Sequence, residues 1–102
     1  GGGGQTTISG GFPLTLTGFN NNSGNMIIAN DGSTLIGNTS SVGSNVTNNT
    51  AVTFNQTTGN GTYAGVITGP GEVIIAGGNQ VTFTGNNTYT GGTTINNDGS
   101  NL

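Results

Sequence analysis

Three carboxylates, Asp31, Glu72 and Asp98, are the only acidic side chains of this 102-residue chain, which has no Lys, Arg, His or Cys. General acid–base catalysis needs a His or two carboxylates placed a few ångströms apart. Asp31 and Asp98 each precede Gly inside the tetrapeptide Asn-Asp-Gly-Ser, a turn sequence, and they stand 67 positions apart. Glu72 follows Gly71 at the start of an apolar run and reads as a solvated edge charge that discourages unwanted strand pairing. Asn-Asp-Gly-Ser loops also echo calcium-binding solenoids, but those need a carboxylate in every coil and a strict nine-residue period. Hydroxyls are plentiful, yet no base is present to activate one. The runs Gly1-Gly2-Gly3-Gly4 and Gly69-Pro70-Gly71 lack the Lys of a phosphate loop. The expectation is a protein that is not an enzyme, with no catalytic residue, metal or cofactor.

The same inventory limits partners. Without a cation the chain has nothing to neutralise phosphate, so nucleic acid is excluded, as is docking on anionic lipid. Its apolar runs are a few residues long, far short of a spanning helix, so no membrane insertion is expected. The missing Cys removes any disulfide framework or thiolate site. Gly1 opens the chain without Met or a leader, which reads as a mature product or a piece of something longer.

The elements that must position these residues are short strands. Val81-Thr82-Phe83-Thr84 alternates apolar with Thr, passes Gly85-Asn86-Asn87, resumes at Thr88-Tyr89-Thr90, turns at Gly91-Gly92, alternates again through Thr93-Thr94-Ile95 and turns at Asp98-Gly99. Alternation suits a pleated strand with one face buried, and Gly, Asn and Asp are expected to supply positive φ at the corners. Upstream, Thr7-Ile8-Ser9, Leu14-Thr15-Leu16, Met26-Ile27-Ile28, Ala51-Val52-Thr53-Phe54 and Tyr63-Ala64-Gly65-Val66-Ile67 read in the same way, and Val73-Ile74-Ile75 follows Pro70. No stretch has a helical period. Only 28% of the chain is hydrophobic and 3% charged, a mixture that suits a solenoid with one narrow apolar stripe.

The predicted fold is therefore an all-β parallel β-helix, a β-solenoid of about four to five coils without helices, each coil about 18–25 residues. Its core stripe is expected to be Ile8, Leu14, Leu16, Ile28, Leu35, Val52, Phe54, Val66, Val73, Ile75, Val81, Phe83, Ile95 and Leu102, with corners at Asp31-Gly32, Gly91-Gly92 and Asp98-Gly99. Residues 1–102 read as one solenoid segment with an internal repeat. Shifted by 67 without a gap, residues 1–35 lie over 68–102 with 16 identities, including Asn-Asp-Gly-Ser on itself. On this reading the period is about three coils, which puts Asp31 and Asp98 about 14 Å apart along the axis.

Val52-Thr53-Phe54-Asn55-Gln56, Gly61 to Gly69 and above all VTFTGNNTYTGGTTINN, Val81 to Asn97, resemble the passenger-associated transport repeat, also called the autotransporter-associated β-strand repeat, of Gram-negative type V secreted proteins. The likeness covers about half the chain directly and, through the 67-residue shift, the first 35 residues more weakly, since Asn22, Asn25 and Met26 replace the Tyr and the Gly-Thr of the phrase. Gly77-Gly78-Asn79-Gln80 departs from the Lys-containing turn usual in that family. The resemblance implies a right-handed β-helix, extracellular or at the outer-membrane surface, serving as adhesin, biofilm scaffold or stalk without an active site. End-to-end self-association is the expected partnership, because no polar cap is evident at either end of the sequence. A surface glycan or host ligand is a further candidate. Uncharged pairs such as Thr15/Thr17, Thr82/Thr84 and Thr88/Thr90 raise an alternative, an ice- or carbohydrate-binding solenoid. The Asn-x-Ser/Thr triplets at Asn21, Asn38, Asn45, Asn48, Asn55, Asn60 and Asn86 are read as unmodified in a bacterial exporter.

Overall fold

The structure, a computed structural model, describes residues 6–16, 25–42, 45–57, 59–85 and 87–96. It is an all-β parallel solenoid of about four turns, with no helix among the described residues. One sheet stacks β1 (Thr6–Ile8), β3 (Asn25–Ile28), β5 (Asn45–Asn48) and β8 (Ile67–Thr68). A second stacks β2 (Pro13–Thr15), β4 (Thr34–Gly37), β6 (Ala51–Asn55), β9 (Glu72–Ala76) and β11 (Thr93–Ile95). A third pairs β7 (Gly61–Tyr63) with β10 (Val81–Phe83). Every pairing is parallel, so each strand lies beside the corresponding strand of the next coil.

Alternation decides which side chains enter the core. In β6, Val52 and Phe54 are buried while Thr53 between them faces outward, and β9 repeats this with Val73, Ile74 and Ile75. Register then stacks like on like. Leu14, Leu35, Val52, Val73 and Thr93 form one inward column of the second sheet. Gly37, Phe54, Ile75 and Ile95 form the next, and the Leu16 N–H bond to the Ile36 carbonyl places Leu16 beside Gly37. The core unites Ile8, Met26, Ile28, Leu35, Val42, Val46, Val52, Phe54, Tyr63, Ile67, Val73, Ile75 and Val81, with Leu16, Phe83 and Tyr89 partly buried against it. Phe54 meets Tyr63 and Phe83 at ring-centroid distances of 5.1 and 5.3 Å in tilted and edge-on contacts, the offset geometries aromatic pairs favour.

Three core expectations change. Leu14 and Ile95 point along the inward columns but are 41% and 47% exposed, because β2 and β11 close the second sheet at opposite ends and no described strand covers them. Val66 is only half-buried. Val46 pairs with Ile67, so Ile67 takes the core position and Val66 falls on the outward side. A shift of one residue exchanges the two faces of a strand. Leu102 lies outside the described residues, as do Asp98 and Gly99.

The sequence repeat and the stacking repeat also differ. Met26 sits on Thr6, Val46 on Met26 and Ile67 on Val46, steps of 20, 20 and 21 residues. Three turns therefore fall short of 67. The 67-residue offset carries Ile8 of the first sheet onto Ile75 of the second, and Ile28 onto Ile95 in the same way.

Candidate functional site

The corner between the first and second sheets holds the most concentrated polar cluster. Asp31 accepts the Gly10 N–H of the preceding coil at 2.9 Å, the Ser33 N–H at 3.1 Å and the Ser33 hydroxyl at 2.5 Å. The Ser33 oxygen in turn accepts the Gly11 N–H at 2.9 Å. The Ser33 hydroxyl first, then the Gly10 N–H, holds the Asp31 carboxyl below the usual carboxylate value. Gly10, Gly11 and Gly32 adopt φ of 100°, 79° and 87°, which lets these amides converge on the carboxylate. With its lone pairs engaged by the chain itself, Asp31 acts as a staple between two coils. Glu72 lies elsewhere, on the outer face of β9, where it accepts the Thr94 hydroxyl at 2.6 Å. The two described acids thus occupy separate places, and no group of three metal-ligating side chains forms among the described residues.

The Asn residues expected at corners do different work from that foreseen. No described residue other than Gly has positive φ. Asn side chains instead bridge coils. Asn45 accepts the Val66 N–H at 2.9 Å, Asn60 the Gln80 N–H at 2.9 Å and Asn87 the Ile67 N–H at 2.6 Å. Buried Asn48 donates to the Glu72 carbonyl at 2.9 Å, and Asn79 donates to the Gln56 carbonyl at 2.7 Å. Gln56, also buried, accepts the Thr39 N–H at 3.0 Å. No buried side-chain nitrogen or oxygen among the described residues lacks a partner, as a stable interior requires. Tyr63 sits beside Phe54 in the core, and burial pushes its hydroxyl up, so it stays protonated at neutral pH.

Expected corner residues Gly91 and Gly92 close the turn before β11. Gly92 has φ of 91°, and a Cβ on Gly91 would strike the Gly71 carbonyl of the coil below. A shallow groove of about 250 Å³ lies between Thr15, Leu16, Ile36, Gly37, Asn38, Asn55 and Thr57, a neutral lining with two apolar side chains.

What can engage a partner is the exposed surface. Outward on the second sheet runs a file of Thr15, Ile36, Thr53, Ile74 and Thr94. At the two ends of that sheet stand the exposed large apolar side chains of the described residues: Phe12, 75% exposed and just before β2, Leu14 on β2, and Ile95 on β11. Sequence reading missed Phe12 because burial near an end strand depends on whether another coil lies beyond it along the axis. Comparison of the chain with protein-family models, curated proteins and solved structures finds no match in any of the three.

Proposed function

We propose that this chain is a structural and adhesive segment of a bacterial cell-surface or extracellular fibre, stacking end to end with copies of itself and catalysing no reaction. One observation carries the reading: the inward apolar columns of the second sheet run out at both ends into half-exposed Leu14 and Ile95, on strands with one edge unpaired among the described residues. Open edges of this kind are templates for further pairing unless they are covered. The resemblance of Val81 to Asn97 to the autotransporter passenger repeat supports export to the outer-membrane surface of a Gram-negative cell and a place in adhesion or biofilm. The engagement of Asp31 in a staple, apart from Glu72, supports the absence of catalysis. A surface glycan or host molecule is the candidate ligand of the assembled fibre, whose groove beside Asn38 and Asn55 offers neutral hydrogen-bonding groups. Sedimentation at increasing concentration, followed by electron microscopy, tests the reading. Axial rods growing with concentration are expected, and a monomer at every concentration overturns it.

The outward file of Thr15, Thr53 and Thr94 favours a second reading, an ice- or carbohydrate-binding face. Ile36 and Ile74 interrupt its hydroxyls. Thermal hysteresis and glycan retention are its tests, and the absence of both removes it.

A further inference from the structure

We infer that copies join head to tail, with β11 of one copy pairing in parallel with β2 of the next so that Thr93 meets Leu14, Thr94 meets Thr15 and Ile95 meets Leu16, and that Pro13 bars the slip that would put Ile95 on Leu14. The inference rests on the stacking proposed above and adds the partner strand and the alignment.

The hydrogen-bonding rule inside the chain supplies the argument. Inward-facing residues of the second sheet send their N–H toward the following coil: Leu16 to the Ile36 carbonyl at 2.8 Å, Gln56 to that of Ala76 at 2.9 Å and Val73 to that of Gly92 at 3.1 Å. Backbone groups alternate in direction along a strand, so on β11 the N–H and C=O of Thr93 and Ile95 face away from β9. The Asn96 N–H, of opposite parity, bonds back to the Ile75 carbonyl at 2.9 Å. On β2 the same alternation turns Leu14 and Leu16 toward β4 and the Pro13 and Thr15 carbonyls and the Thr15 N–H toward the edge that no described strand pairs. These sets match. In this register Thr93 N–H donates to Pro13 C=O, Thr15 N–H donates to Thr93 C=O, and Ile95 N–H donates to Thr15 C=O.

Slips of one residue, and the slip of two toward Phe12, fail. A slip of one residue points the donors at carbonyls turned toward β4 and throws Ile95 onto the outer face. A slip of two residues that puts Ile95 on Leu14 needs a Pro13 N–H to donate to the Thr93 carbonyl, and proline has none. The register with Ile95 on Leu16 uses Pro13 only as an acceptor. It also continues the column Phe54, Ile75, Ile95, and neither strand carries a charge to oppose the contact. An interface that joins one end to the opposite end repeats without closing, which yields a filament.

The test uses disulfide trapping in the full chain, which has no cysteine of its own. Adjacent strands lie about 4.8 Å apart, within reach of a disulfide. Thr94→Cys and Thr15→Cys, both at exposed positions, are mixed and oxidised mildly, and Ile95→Cys is paired in parallel with Leu16→Cys and with Leu14→Cys. The expected result is a mixed dimer from Thr94→Cys with Thr15→Cys and from Ile95→Cys with Leu16→Cys, in excess over Ile95→Cys with Leu14→Cys. Adding Pro13→Ala, which restores an N–H, should raise the Leu14→Cys product. Dominant same-variant dimers, preferred Ile95→Cys with Leu14→Cys linkage, or rods that form without any of these cross-links overturn the register while leaving end-to-end stacking standing. A chain that sediments as a monomer throughout overturns both.

Discussion

Phe54 and Ile95 stand in the same inward column of the same sheet, two coils apart, yet Phe54 is fully buried and Ile95 is 47% exposed. Both residues follow an outward Thr, Thr53 and Thr94, and both point along the same side. What separates them is the presence of a coil on each side of β6 and on only one side of β11 among the described residues. In a stacked fold burial is conferred by neighbouring repeats, so an apolar residue of fixed orientation is core or surface according to its place along the axis. Among the described residues β2 and β11 carry core positions without cover on one side, and that is the feature on which the proposed stacking rests.

Truncation should separate the two regions most sharply at Phe54. Its ring packs against Tyr63 and Phe83 at 5.1 and 5.3 Å, so Phe54→Ala is expected to destabilise the folded chain by about 3–5 kcal/mol. Chemical denaturation of the monomer measures this. Equal losses for Phe54→Ala and Ile95→Ala would break the comparison, because burial along the axis would then carry no weight. A smaller but still interior effect belongs to Asn48, which is fully buried, donates to the Glu72 carbonyl and accepts the Thr50 N–H at 3.3 Å. Asn48→Ala leaves that carbonyl and amide without their partner and is expected to cost about 1–3 kcal/mol. Replacing exposed Asn60, whose side chain also bridges coils, should cost less, since water can take its place.

Much of this fold is legible in the alternation of Thr with apolar residues, which places Val52, Phe54 and Val81 inside, whereas in the continuous run Val73-Ile74-Ile75 the pairing with β6 decides that Val73 and Ile75 turn inward. Three features are not legible, each for a physical reason. Val66 and Ile67 are adjacent and both apolar, and only the pairing with Val46 decides which one turns inward. The 67-residue likeness records shared phrases, whereas coils stack at the spacing that backbone hydrogen bonds impose, and the two need not coincide. Asn at corners suggested left-handed backbone, but here its amide reaches the neighbouring coil, a contact between residues about a coil apart in sequence. Of the candidate surface, the outward Thr residues and the lack of polar caps could be read directly, but the exposure of Leu14 and Ile95 could not, because it is decided by whether another coil lies beyond them along the axis.

The end strands themselves give the next expected effect. Ile95→Ala removes a side chain already half in water, so the monomer should lose about 1 kcal/mol or less. If β11 is where copies meet, the same substitution should weaken assembly far more than folding, and sedimentation beside denaturation of the same samples reads both. A variant that loses stability and assembly in proportion would place Ile95 back with the interior and erase the distinction between core and end.

The smallest effect concerns the staple that joins the first coil to the second. Asp31 is held below the usual carboxylate value by the Ser33 hydroxyl and the Gly10 N–H, so its folded pKa lies below its unfolded one. The stabilisation it contributes is therefore fully present above the unfolded value, close to 3.8, and is lost as pH falls through the lower folded pKa. Asp31→Asn should flatten the acid limb of a stability–pH profile by lowering the neutral plateau, because one amide oxygen cannot accept both the Gly10 N–H on one side and the two Ser33 donors on the other. Because the staple holds the Gly10 and Gly11 amides, just before β2, their protection against hydrogen exchange, taken relative to the intrinsic rate at each pH, should fall at acid pH in the wild type and already at neutral pH when Ser33→Ala is added. Protection that stays level at both amides would mean that stacking alone, and not the carboxylate, orders the coil that carries Leu14.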